Sequence, residues 1–217
     1  MDKVGNQNFV KETNKKLIID LLKKTGPLAR ADIKKFVNLS SPSISTNVER
    51  LLEDRILIEN GRSESMGGRK IKFYDVNYNL GYVLGIDLSQ DEILLGVSNL
   101  KPEIIGTKLI PIHKKYDKNI ENIFKEAKKL LLENSINIDD IVSVVVSSPG
   151  VYRENGKLDY IDSEDWFYGT AIFEDLKKVF EREVIVENDV NLAVIAENRV
   201  GSGNSFSFMS YIKIDRG

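Results

Sequence analysis

The stretch Leu39–Leu57 (LSSPSISTNVERLLEDRIL) constrains this chain more than any other. Ser41 is placed to cap a helix, and Pro42 takes its first position, where the missing N–H removes no bond. Ile44, Val48, Leu51 and Leu52 then fall at helical spacing and form one apolar stripe. The opposite side carries Ser43, Ser45, Thr46, Asn47 and Arg50, mostly short donors and acceptors suited to base edges and phosphates.

The flanks extend this pattern. Ala29–Val37 reads as a preceding helix, and ILIEN, GRSESMGGRK and IKFYDV read as a hairpin with a glycine-rich tip. That hairpin carries Arg62, Arg69 and Lys70, cations placed to reach a minor groove or the backbone beside it. Together these features predict a winged helix-turn-helix: an all-α head with a β wing, whose second helix sits in the major groove of duplex DNA. The alternative is a three-helix structural module with a solvated hairpin. Cap, stripe, polar face and basic wing occurring together favour the first reading.

Charge divides along the chain in the same sense. Residues 1–80 hold 15 of the 31 Lys+Arg and 10 of the 33 Asp+Glu, an excess of +5. The remainder holds 16 and 23, an excess of −7, so a basic head precedes an acidic body. At 41% hydrophobic residues the chain can bury a sizeable core, and no apolar run reaches the roughly 20 residues that span a bilayer. No signal-peptide pattern opens it and it has no cysteine, so a cytoplasmic location is expected, with neither disulfides nor a thiolate metal site. His113 is the single histidine and cannot make a multi-histidine zinc site.

In chain order, Met1–Asn8 reads as polar and loose. Phe9–Lys24 reads as a helix with Leu17, Ile18, Leu21 and Leu22 apolar, stopped by Thr25-Gly26-Pro27. The head is expected to end at residue 77, with a linker at 78–81 and a second domain over 82–217. In that domain Tyr82–Ile86, Glu92–Ser98 and Ile104–Ile112 predict an antiparallel meander. Asp117–Asn134 predicts a helix and Ile141–Val146 a buried strand. A loop or hairpin over 149–168, a helix near 170–181, a strand Val184–Val186, a helix Val190–Val200 and a last strand Phe208–Ile214 follow.

VLGID (Val83–Asp87), VVVSSPG (Val144–Gly150), ENDVN (Glu187–Asn191) and YIKIDRG (Tyr211–Gly217), with Gly67-Gly68-Arg69 in the wing, resemble the ROK family (repressor, open reading frame, kinase). The resemblance is closest to its xylose-repressor-like branch. It implies an actin-like (sugar-kinase-like, ribonuclease H-like) α/β body of two lobes around a cleft, with the second lobe incomplete here. The sequence is accordingly expected to be a fragment of a longer regulator. In the family the Asp of END touches a sugar hydroxyl and serves kinases as general base, which maps to Asp189. Asn188, Gly150 and Trp166 are the neighbouring sugar-site candidates. The alternative for Asn188 or Asp189 is capping the helix that follows, and for Trp166 ordinary packing.

Departures from the family pattern sharpen the expectation. The first phosphate turn of the kinases is rich in glycine and threonine, whereas Asp87-Leu88-Ser89-Gln90-Asp91-Glu92 has no glycine and adds carboxylates. The second phosphate turn reads Asp215-Arg216-Gly217. ATP is therefore not expected as a cofactor and the chain is not expected to be an enzyme; zinc would belong only to a longer form. A family asparagine that contacts sugar falls near Ser163, and family arginines of the DNA-reading helix fall at Ser41 and Thr46. The expected function is a homodimeric, sugar-responsive DNA-binding repressor of carbohydrate-use genes, with an operator duplex and a small sugar as partners and no membrane. The alternatives are a sugar kinase with a fused head, or a constitutive DNA-binding protein whose body only dimerises.

Overall fold

Two apolar cores form, one in each of two compact units that divide between Leu80 and Gly81. The computed structural model describes residues 3–63, 71–88, 92–152, 158–159, 166–167 and 169–212. The first unit opens with α1 (Lys3–Thr25), which starts well before Phe9, so the expected loose segment is helical from Lys3. Gly26, at φ +80°, ends α1 and donates its N–H to the Leu22 carbonyl at 2.9 Å. After it come β1 (Leu28–Ala29), α2 (Arg30–Phe36) and α3 (Ser41–Glu53).

Ser40, not Ser41, caps α3: its hydroxyl accepts the Ser43 N–H at 3.3 Å, which moves Ser41 into the first helical position. The α3 stripe Ile44, Val48 and Leu51 is buried against Ile18 and Leu22 of α1 and Ile33 of α2. Leu17, expected on the same stripe of α1, is instead 46% exposed. At the end of α3, Arg55 adopts the left-handed region (φ 57°), and the N–H of Ile56 reaches the Leu51 carbonyl at 2.8 Å. This is a Schellman turn with an arginine where glycine is usual. It sends the chain directly into β2 (Leu57–Ser63), which pairs antiparallel with β3 (Ile71–Val76) through a bulge between Glu59 and Arg62. β1 pairs with the other edge of β3, a two-residue strand too short for any sequence pattern to show.

The second unit is a five-stranded sheet in the order β10-β7-β4-β5-β6. Its strands are β4 (Tyr82–Asp87), β5 (Glu92–Asn99), β6 (Ile104–Pro111), β7 (Ile141–Ser148) and β10 (Val184–Asn188). The meander β4-β5-β6 is antiparallel; β7 and β10 add parallel to β4. Parallel neighbours need crossovers, and α4 (Tyr116–Glu133) and α5 (Ile172–Phe180) supply them. Ile123, Ala127 and Leu130 of α4 and Leu176 and Phe180 of α5 bury Leu84, Ile86, Ile93, Leu95, Val144 and Val146. A short pair, β8 (Val151–Tyr152) with β9 (Leu158–Asp159), lies between β7 and α5, and α6 (Asp189–Arg199) follows β10 directly. The expected last strand is not formed over Phe208–Ile212: nothing pairs with these residues as a strand, and Phe208 is 95% exposed. Positions 213 and 214 lie outside the described residues.

One ion cluster ties β6 to α4. Lys108 Nζ lies 2.8 Å from Glu126 Oε2, and Lys129 Nζ lies 2.6 Å from Glu126 Oε1. Hydrogen bonds from Lys108 and then Lys129 hold the Glu126 carboxyl at about 2, against an ordinary value of 4.5. A depressed carboxyl stabilises the fold fully above its unfolded pKa and ceases to do so as pH falls through the folded one. Between about pH 5 and pH 2, the melting temperature of the parent chain is expected to fall more steeply than that of Glu126→Gln. Parallel melting curves for the two over that window would show that the cluster adds nothing.

Candidate functional site

In the first unit the outward face of α3 is the surface to consider. Ser41, Pro42 and Thr46 are exposed, and Ser43, Ser45 and Arg50 are half-buried. Asn47 does not belong to that face. It is only 4% exposed, and its Nδ2 donates to the Ser43 carbonyl at 2.8 Å. It lies three residues after Ile44 and four before Leu51, which places it inside the buried arc of the helix. Its Oδ1 is buried without a partner, so Asn47 shapes the helix packing and does not reach outward. Glu49, absent from the sequence-derived face, occupies it: its side chain is 58% exposed, at helical spacing from Pro42 and Thr46. The Arg62 backbone stands opposite Lys72 in the hairpin. Arg69 and Lys70, with Gly67 and Gly68, lie outside the described residues, as does the Arg62 side chain.

In the second unit the parallel strands β10, β7 and β4 end side by side, the edge of an open α/β sheet where ligands generally bind. The register sets Asp87 against Ser147, Ser147 against Glu187, and Ser148 against Asn188. Asn188 organises this edge. Its Oδ1 accepts the N–H groups of Val190 (3.0 Å) and Asn191 (3.1 Å), capping α6, and its Nδ2 donates to the Gly150 carbonyl at 2.7 Å. Gly150 sits at φ +89°, a conformation that favours glycine, so the loop after β7 is pinned where it turns. Glu187 Oε1 accepts the Asn188 N–H at 2.8 Å and the Asn191 Nδ2 at 2.9 Å. Asp189 is half-buried in the first position of α6, with Oδ1 2.9 Å from the Val190 nitrogen. A carboxylate is favoured at a helix N-terminus, and a carboxylate so held can accept a hydroxyl hydrogen bond.

The structure therefore brings Gly150, Asn188 and Asp189 into one hydrogen-bonded group. Trp166 packs against two aromatic rings, 6.1 Å from the Tyr116 ring and edge-on to Phe167 at 5.4 Å. Tyr116 donates its hydroxyl to Asp175 at 2.9 Å, joining α4 to α5 beneath that tryptophan cluster. Burial and the Asp175 carboxylate push the Tyr116 hydroxyl above its ordinary pKa, so it stays protonated. Ser163 and the turn residues 89–91 lie outside the described residues. Before that turn, Leu88 is buried and its N–H is taken by the Ser147 carbonyl at 3.0 Å. Among the described residues no cluster of three or more His, Asp or Glu side chains could hold a metal ion, and no helix is long and apolar enough to cross a membrane.

Comparison with known proteins places this geometry. Xylose repressors of Bacillus spizizenii and Caldicellulosiruptor bescii are each 24% identical to the chain and align over 99% of it. They align over 56% and 54% of their own lengths respectively, so the chain spans about half the length of these relatives. The crystal structure of a ROK family transcriptional regulator, a homologue of the E. coli MLC protein, superposes with a TM-score of 0.61 at 20% identity. That superposition covers 91% of this chain and 50% of that one, and the mixed sheet with its helices fits an actin-like lobe. The family model for ROK matches residues 83–217, and the chain belongs to the ROK family.

Proposed function

We propose that the chain is the DNA-binding and part of the sugar-sensing portion of a cytoplasmic transcriptional repressor of carbohydrate-use genes. The first unit acts as a winged helix-turn-helix on an operator duplex, with Ser41, Pro42 and Thr46 reading bases. Arg50, Arg62, Arg69 and Lys70 contribute charge. The observation that carries this reading is the capped α3, buried along one stripe and polar on its outward arc, joined in one chain to a ROK lobe. A homodimer would set two such helices about one helical turn apart.

The body binds a small sugar at the edge formed by Gly150, Asn188 and Asp189, and the bound sugar favours a state that releases DNA. The relatives' names make D-xylose the first sugar to try. No phosphoryl transfer is assigned to it: the turn after β4 carries carboxylates, and its Leu88 amide already serves Ser147.

The decisive experiment measures binding of the protein to the DNA upstream of its own coding region, with and without a panel of aldoses. D-Xylose or another aldose should release the DNA. Asp189→Asn should leave DNA affinity intact and weaken the response to sugar by about 10–100-fold, the loss of one charged hydrogen bond. DNA affinity indifferent to every sugar would favour a constitutive binder. Turnover of ATP with an aldose, abolished in Asp189→Asn, would restore the kinase reading.

A further inference from the structure

We propose that Arg30, the first residue of α2, is a phosphate-anchoring residue of the head, stacked by Tyr74 and oriented by Glu49. This rests on the DNA-binding reading above and names a contact that reading lacks. Its guanidinium lies over the Tyr74 ring, 5.2 Å from the centroid, and its Nη1 is 3.5 Å from Glu49 Oε1. Tyr74 is buried in β3 and Glu49 stands on the outward arc of α3, so one side chain joins α2, the hairpin and the outward helix face.

Three features separate Arg30 from a merely structural cation. Its Nε is buried without a hydrogen-bond partner, an arrangement that stability alone disfavours. Its ion pair is loose. Lys15–Asp54, Lys35–Asp32 and Lys72–Glu59 close to 3.0, 2.7 and 2.6 Å, and Lys15, though 3.7 Å from Glu12, is satisfied by Asp54, whereas the Arg30–Glu49 contact stands at 3.5 Å with the Arg30 side chain 35% exposed. Finally, Glu49 shares its arc with Pro42 and Thr46, so the guanidinium beside it lies at the margin of that face. When the arc enters a major groove, its margin meets the phosphate ridge. A planar fork held by a ring on one side presents its remaining donors to a phosphate in fixed geometry. Arg30 of α2 thus supplies an anchor beside α3, a helix that has Ser41 and Thr46 where arginines could stand. Glu49 holds the fork in place while opposing the phosphates itself.

Phosphate contacts are independent of sequence, so the test needs no known operator. The whole chain is titrated onto a labelled mixed-sequence duplex of about 30 base pairs from about 50 to 200 mM salt, and log affinity is plotted against log salt. Arg30→Ala should bind more weakly, with the slope shallower by about one unit, and Arg30→Lys should keep the slope. Glu49→Gln should bind more tightly than the parent. The slope at Arg30→Ala carries the assignment to Arg30; tightening in Glu49→Gln reports that its paired carboxylate opposes the phosphates, and needs no variant at Arg30 to fold. An unchanged slope in a folded Arg30→Ala, or no tightening in Glu49→Gln, overturns the proposal while leaving the DNA-binding reading in place. A parent chain with no salt-dependent binding overturns both.

Discussion

Leu51→Ala lowers the melting temperature of the first unit by roughly 10–30 °C and leaves the transition of the second unit where it was. Leu51 is fully buried where α1, α2 and α3 meet. Truncating such a leucine costs about 2–5 kcal/mol, the transfer of its methyl groups plus the cavity left behind. A domain of this size has roughly 4–12 kcal/mol in total, and each kcal/mol moves its midpoint by about 4–8 °C. DNA binding at growth temperature should fall with it, because Ser41, Pro42 and Thr46 are presented only by a folded α3. Two-transition calorimetry of the parent and the variant checks this. If both transitions moved together, the two cores would not melt independently.

The second large effect is expected at Asn188, whose single amide performs two tasks. Asn188→Ala removes the cap of α6 and the bond that holds the Gly150 loop. Losing the cap costs about 0.5–2 kcal/mol and losing the hydrogen bond about 1 kcal/mol more. The second unit should then melt roughly 5–10 °C lower. Asn188→Asp separates the tasks: aspartate caps as well as asparagine but has no N–H for the Gly150 carbonyl. It should recover most of the melting temperature and still bind sugar poorly, since the turn at Gly150 is released beside Asp189. If Asn188→Asp bound sugar like the parent, the bond across to Gly150 would have no part in shaping the site.

The sequence spoke most clearly where local periodicity decided structure. Ile44, Val48 and Leu51 repeat at helical spacing and are buried as that spacing demands, and the meander and the α4 stripe follow from the same patterns. It spoke less clearly where neighbours are chemically alike. Ser40 and Ser41 are equally good caps, and only backbone geometry selects the first. Asn47 looks like a surface residue by type, yet its position between Ile44 and Leu51 turns it inward.

What the sequence could not show was long-range. The Asn188–Gly150 bond crosses from β10 to the loop after β7, and the Arg30–Tyr74 stack joins the start of α2 to a strand of the hairpin. Neither has a local signature. The Phe208–Ile214 run has strand composition, but a strand is made by its partner, and none pairs with residues 208–212.

The tight reversal at Arg55 carries a lesson about how such a head can change its target. Only Asp54, Arg55 and Ile56 separate α3 from β2, and all three are tied back to the helix by their own amides. There is no slack to lengthen or slide, so α3 and the start of β2 move as a single rigid caliper with a fixed opening. Under the proposed DNA-binding role, new preferences would arise by exchanging side chains on these elements, because the gap between α3 and β2 cannot be respaced without dismantling the hinge that sets it.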